Sequence, residues 1–510
     1  MLSRGGNHEF GSRLKPVQRT FADSEEQVQG MQDADIVLVT VNARYSHAAF
    51  GIRWLWSNLG ELRERCVLRE FNLNQLALEI AEQLLDLKPR IIGLSVHIWN
   101  VTLLTQVAET IKGVRPEIVV VIGGPEVSYG FEDTPIFAAA DYLIRGEGEV
   151  AFARLAQDVL DGRAPQEKVI AAEPPPLADL VLPYDAYTDE DLAQRLTYVE
   201  ASRGCTFRCE FCLSSIDPHV REFPLAPFLE AMERLIERGA RRIKFVDRTF
   251  NLRVERVDAI LDFFLRHWQD GMSVHFEIVP DRLTDHMLGR IAEFPPSGLH
   301  LEVGVQSLNA ESLAAIGRRQ DVEKTLENIR FLREETGALV HVDLVVGLPE
   351  ETWETLAAGF DRLAVLRPHE LQVGILKQLK GTSIGRHPIV FAKHPPYEVL
   401  QSKHLDFEQV QRLKRFARYF DLFYNSGNFP ESIVLLWRAR ESAFDAFMAF
   451  SDGLWTATQR THEFPLAQLA RHLGSFLVEA GAGEPQEVTE TIRRDYHRLP
   501  GRKERLQLPF

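Results

Sequence analysis

Cys205-Thr206-Phe207-Arg208-Cys209-Glu210-Phe211-Cys212 holds three of the four cysteines in the 510-residue chain, spaced C-x3-C-x2-C. Thiolates at short, unequal spacing are what a zinc ion or an iron–sulfur cluster takes from a protein. A structural zinc site calls for a fourth protein ligand, and the remaining cysteine, Cys66, lies far upstream with no partner near it. Three thiolates without a fourth fit a [4Fe–4S] cluster with one iron left open. Three unconnected loop thiols are the plain alternative, and the scarcity of cysteine elsewhere argues against it.

Cys205-x3-Cys209-x-Phe211-Cys212, preceded by Ser202-Arg203-Gly204, resembles the signature of the radical S-adenosylmethionine (SAM) enzymes. The resemblance implies that the open iron binds the amino and carboxylate groups of SAM and that Phe211 lies beside the cofactor. It makes the three cysteines catalytic as well as metal-ligating, and implies an external electron donor of the flavodoxin or ferredoxin type. Members with auxiliary clusters need further cysteine groups. The chain has none, which disfavours the sulfur-inserting and methylthio-transferring branches.

At this length two or three domains are expected. Apolar residues make up 45% and charged residues 26%, as in soluble globular proteins. No apolar run is long enough to span a membrane, and the cysteine pattern is no disulfide framework, so a cytoplasmic protein is expected. A net charge of −15 (73 acidic against 58 basic residues) disfavours a general nucleic-acid binder but leaves room for a local basic groove.

Residues 1–32 lack periodicity, contain the tag-like run His8-Glu9-Phe10-Gly11-Ser12, and are expected to be unstructured. From residue 33 to 162, apolar runs at Asp35–Val41, Cys66–Phe71, Arg90–Val96, Glu117–Ile122 and Tyr142–Ile144 alternate with helical spacing. That order predicts a doubly wound, Rossmann-like parallel sheet, whose ligands bind at the carboxyl ends of its strands. Gly93-Leu94-Ser95, Gly123-Gly124-Pro125 and Arg145-Gly146-Glu147-Gly148-Glu149 follow in the order seen in the cobalamin (B12)-binding domain that precedes many radical enzymes, which this region resembles. The resemblance nominates Ser95, Gly123, Gly124, Gly146 and Glu147 as cobalamin contacts. It also nominates His47 as lower cobalt ligand, but Tyr45-Ser46-His47-Ala48-Ala49-Phe50-Gly51 departs from the usual D-x-H-x-x-G. The local carboxylate that orients a metal-bound imidazole is missing, and a surface or capping histidine is the other reading.

Prolines at 165, 174–176 and 183 mark residues 163–195 as a stiff linker. Six strand–helix units from 196 to 385 predict a partial (β/α)6 barrel with its site at the strand carboxyl ends. Glu302-Val303-Gly304-Val305-Gln306-Ser307 resembles the ribose-contacting E-x-G-x-Q-S of the radical family, and Val342-Asp343-Leu344-Val345-Val346-Gly347-Leu348-Pro349 resembles its adenine-pocket strand. These matches imply SAM contacts at Glu302, Gln306, Ser307, Gly347 and Leu348. Asp247 stands where relatives hold the SAM amino group, with a helix cap as alternative. Arg318 stands where relatives place an arginine near the cofactor carboxylate, with a surface ion pair as alternative. Residues 386–510 read as a helical domain with helices at Phe407–Tyr424, Pro430–Phe450 and Pro465–Ala480, their aromatics mostly core.

Two function classes stay open. One is a cobalamin-dependent radical SAM methyltransferase acting on an unactivated carbon of a small molecule or peptide. The other is non-methylating radical chemistry, with the first domain binding cobalamin structurally or serving substrate or partner binding.

Overall fold

The computed structural model of the protein describes residues 34–498, 502 and 506–508; the expected unstructured start at 1–32 lies outside them. Two six-stranded parallel sheets carry the molecule. The first comprises β1 (Ile36–Asn42), β2 (Cys66–Asn72), β3 (Ile91–Ser95), β4 (Val119–Gly123), β5 (Tyr142–Arg145) and β6 (Val169–Ala171), in the order β2-β1-β3-β4-β5-β6. Every residue of β1 is buried because helices cover both faces, leaving one core on each side of the sheet. The chain reverses direction across the sheet between β1 and β3, so a crevice opens at their carboxyl ends.

β7 (Thr197–Val199) opens the second sheet. A short antiparallel hairpin follows, β8 (Ser202–Arg203) against β9 (Arg221–Glu222). Then come β10 (Arg242–Phe245), β11 (Ser273–Ile278), β12 (Leu299–Gln306), β13 (Leu339–Val346) and β14 (Glu370–Ile375), in the order β14-β13-β12-β11-β10-β7. β7 and β14 are not joined, so the barrel stays open. Burial alternates strictly along β11, β12 and β13: one face is apolar and joins the main core, the other carries His275, Glu277, His300, Glu302, His341 and Asp343.

A hairpin of β15 (Val390–Phe391) and β16 (Val399–Gln401) leads into five helices, Phe407–Phe420, Pro430–Trp437, Ala443–Thr458, Leu466–Glu479 and Pro485–His497. Phe416, Tyr419, Phe420, Phe423, Phe444, Phe447 and Phe450 are buried among them. The expected single helix over 430–450 is broken, because Ser442 caps a new one by accepting from the Asp445 amide at 3.0 Å. The last helix escaped the sequence reading; its apolar stripe is sparse, although Pro485 at its first position was a start signal. Among the described residues no helix is long and apolar enough to cross a membrane.

The proline-rich stretch is less of a linker than expected. Its residues 169–171 form β6, and Asp189–Gln194 form a helix capped by Thr188. A three-residue strand between prolines leaves too short a pattern to read. The helix is riveted to the first domain by Arg53, which is buried and donates to Glu70 at 2.6 Å and to Asp191 at 2.8 Å. Removing one partner from a buried network leaves the others uncompensated, at roughly 3–5 kcal/mol. Arg53→Met is therefore expected to lower the first urea-unfolding transition of the full chain by about that amount; an unshifted transition would show that the rivet carries no load.

Candidate active site

Asp247, just after β10, accepts from the Ala201 amide at 2.9 Å and from the Ser202 hydroxyl. Burial pushes its carboxyl up to about 6. It therefore fixes the chain entering the cysteine loop, and it does not line the cysteine cavity. Gly204 follows at φ 90°, where a Cβ would lie 2.1 Å from the His219 carbonyl oxygen. Only glycine lets the two sides of the hairpin approach this closely. At the far end of the loop, Glu210 is gripped by Arg386 and His387 from the chain beyond β14, the histidine at 2.8 Å.

The loop delivers Cys205, Cys209, Cys212 and Phe211 to one cavity of about 210 Å³ at the carboxyl ends of the second sheet. Among the described residues no three His, Cys, Asp or Glu side chains converge on a single ion; a cuboidal cluster takes each thiolate on a different iron. Arg318 is buried rather than in a surface pair. It donates to Cys209 Sγ at 3.6 Å, to Gln320 at 2.8 Å and to the Gly304 carbonyl. Arg248, which also lines the cavity but stays half-exposed, is raised above its ordinary value by Glu277, Cys212, Glu302 and Cys205. Burial pushes the Cys209 thiol up against the pull of Arg318, and iron binding removes such a proton outright. Three thiols in one cavity, with Arg318 and Arg248 in its lining, fit a cluster that leaves one iron to a ligand.

Glu302 and Gln306 face the same cavity. Burial alone would raise Glu302, but the His275 hydrogen bond at 2.9 Å and the Lys244 charge at 3.2 Å outweigh it, holding the carboxylate well below its usual range. Gln306 takes φ 71° at a bulge in β12, which turns its side chain back toward Gly304. Ser307, Gly347 and Leu348 do not line the cavity. Ser307 is buried and donates to Glu351. Gly347, at φ 90°, makes its close approach to Val399 of β16, 2.7 Å from where a Cβ would stand, and Leu348 is fully buried. The close approach that this glycine permits in the structure is that of Val399. Sequence reasoning missed Arg248, Glu277 and Asp343. Asp343 is the notable one, because its Oδ1 is buried without a hydrogen-bond partner. The alternating polar residues of β11–β13 were the signal that could have found Glu277 and Asp343.

A second cavity, of about 270 Å³, sits at the switch point of the first sheet. Ser95, Gly123, Gly124, Gly146 and Glu147 all line it, with Phe50, Trp54 and Phe152 as apolar walls. Gly124, at φ 111°, lies against the backbone of Val96, so the floor of the slot is bare main chain. A narrow apolar slot with glycine edges fits the flat heterocyclic tail of a corrinoid. His47 is not part of it. Its ring stacks on Tyr198 of β7 at 6.0 Å and 20°, and its Nδ1 shares a hydrogen bond with the tyrosine hydroxyl. It joins the two sheets, which the missing loop carboxylate had left open.

A third space, about 360 Å³, lies between the domains. It shares Glu147, Glu200 and Arg203 with the first-sheet slot and Arg248 with the cysteine cavity. Arg203 binds Glu147 at 2.7 Å, Glu149 at 2.7 Å and Glu200 at 3.0 Å. The three spaces thus adjoin through shared lining residues.

Known proteins bear on this arrangement. Residues 36–156 match the B12 binding domain, residues 199–363 the radical SAM superfamily, and residues 385–508 a family described only as a protein of unknown function, DUF4080. An uncharacterized methyltransferase of Pyrococcus horikoshii is 25% identical over 374 residues, 66% of this chain and 80% of that protein. The cobalamin-dependent radical SAM methyltransferase TokK of Streptomyces tokunonensis is 25% identical over 339 residues, 58% of this chain but only 48% of that one. The radical SAM methyltransferase TsrM of Kitasatospora setae, solved with cobalamin and a [4Fe–4S] cluster, shares the fold with a TM-score of 0.58 at 18% identity, over 91% of this chain and all of that one.

The chain is a radical SAM enzyme with a cobalamin-binding domain ahead of its barrel. Its cofactors are those of the two domains, a [4Fe–4S] cluster, SAM and cobalamin.

Gly204 tests the architecture of the loop. Gly204→Ala places a side chain against backbone in a left-handed conformation that alone costs roughly 1–2 kcal/mol. The variant is expected to retain less than about half of the wild-type iron and sulfide after anaerobic reconstitution, with helical content unchanged. Full iron loading would show that the hairpin does not set the cysteine positions.

Proposed function

We propose that the protein is a cobalamin-dependent radical SAM methyltransferase acting on an unactivated carbon of a small molecule or peptide. The observation that carries this reading is the adjacency of the glycine-edged slot, the space lined by Arg203 and Arg248, and the cavity of the three cysteines, which adjoin through shared residues. When bound, the cluster with SAM supplies a primary radical able to take hydrogen from carbon, and the corrinoid supplies a methyl carrier. The residues do the rest. Cys205, Cys209 and Cys212 hold the iron. Arg318 and Arg248 balance the charge of the thiolates. Glu302 and Gln306 present an ionised acceptor and an amide to a ribose diol. Asp343, whose Oδ1 lies 3.4 Å from His341 without a hydrogen bond, offers a carboxyl oxygen to a donor group of whatever enters the cavity. The space between the domains, lined by Ser128, Tyr129, Ser214 and Ile216, receives the substrate. Holding two reacting groups in one closed space replaces an encounter in solution and lowers a barrier by several kcal/mol. The two relatives named as methyltransferases support the same chemistry.

Protein made with ample cobalamin should carry about one corrinoid and about four irons per chain. Gly124→Val should lose the corrinoid and keep the iron; Cys205→Ala/Cys209→Ala/Cys212→Ala should do the reverse. SAM carrying a deuterated methyl group should pass that label to a product in host extract. A wild type that binds no corrinoid ends the proposal. SAM cleavage with corrinoid bound but no label transferred points to the non-methylating chemistry instead.

A further inference from the structure

Behind the cysteine loop, outside the cavity, lies a groove of about 1510 Å³. Phe207 and Arg318 face both the groove and the cysteine cavity, so a single layer of side chains parts them. Arg208, Arg253, Arg282 and Arg319 line the groove, and all four are exposed. Arg208 and Arg319 have no ion-pair partner among the described residues. Arg253 reaches Glu222 at 3.3 Å yet stays 66% exposed. Arg282 lies 5.0 Å over the Phe207 ring. The only carboxylate lining the groove, Glu210, is turned away to Arg386 and His387. In a chain of net charge −15, this is a local reversal of sign placed against a wall of the cysteine cavity.

We propose that the groove is the docking surface for an acidic one-electron carrier protein of the flavodoxin or ferredoxin type. The proposal rests on the reading of the three cysteines as cluster ligands. One electron leaves the reduced carrier, which is oxidised, and crosses the Phe207 layer to the cluster, which is reduced; no bond is made or broken. Arginines suit the role because complementary charge speeds encounter by about 10–1000-fold and loses that effect as salt rises. The aromatic at the wall, with Arg282 over its ring, offers the carrier a contact that is both apolar and cationic.

The test uses the full-length, cluster-loaded protein with a flavodoxin and a plant-type ferredoxin as probes. Binding to the wild type should weaken steeply between about 50 and about 300 mM salt. Arg253→Glu/Arg319→Glu should weaken it at least about tenfold and slow carrier-driven cluster reduction, read by electron paramagnetic resonance, by a similar factor. Iron content and reduction by dithionite should not change. Equal affinity in variant and wild type overturns the proposal, as does failure of both carriers to bind, binding indifferent to salt, or preferential binding of a single-stranded oligonucleotide. Should the double variant lose iron, Arg319→Gln and the wild-type salt series decide. A wild type that dithionite cannot reduce indicts the cluster reading itself, not the groove.

Discussion

Arg203 ties three carboxylates from two domains together, with its side chain only 11% exposed. Glu147 and Glu149 belong to the first sheet's last loop, and Glu200 to the end of β7. Burial pushes Glu200 up to about 7 even though Arg203 pulls it down, so the arginine holds together groups that would otherwise repel. A buried network of this kind adds little net stability, because desolvation offsets attraction, and its value lies in fixing one arrangement over others. Its position makes that arrangement consequential. Arg203 is in β8, and the next residue, Gly204, starts the cysteine loop. The corrinoid slot and the cluster are therefore referenced to the same short piece of backbone.

Within the cysteine cavity, charge is laid out by depth. Arg318 and Arg248 stand beside the thiols, whereas Glu302, Glu277 and Asp343 line the strands beneath. Glu302 stays ionised through His275 and Lys244, whereas the support of Asp343 is weaker, a His341 contact at 3.4 Å without a hydrogen bond and the pull of Lys244. Burial, Glu302 and Glu277 push it well above the ordinary carboxylate range. Two carboxyl groups on neighbouring strands are thus pushed in opposite directions by their surroundings.

Both sheets, their parallel order and the cysteine loop were legible because they rest on local signals: buried apolar runs, alternation, and thiols at fixed spacing. The glycines of the first-sheet slot were legible for the same reason. Failures arose where a residue's role depends on a partner distant in sequence. Gly347 looked like a ligand contact until Val399 of β16 was seen against it. Ser307 belonged to Glu351, and Asp247 to Ser202. His47 turned to Tyr198, 151 residues away. Arg203 was visible in its motif, but its three glutamates are assembled only by the fold. Asp343 was quoted as part of a strand pattern and passed over, although the alternation that places it inward was present in the same line of sequence.

The second sheet never closes on itself, and that bears on how the chain is made. Each of its free edges is occupied by something from another region. At β7, Leu196 bridges to His47 in the first domain. At β14, the Asn425 side chain pairs with both the amide and the carbonyl of Leu371, at 2.9 and 3.2 Å, and Lys377 bridges to Glu398. Bare strand edges invite pairing with another copy. One edge is sealed by chain made before the barrel and the other by chain made after it. Without those neighbours the barrel segment would present two bare edges, so the chain on either side of it shields the sheet from such pairing.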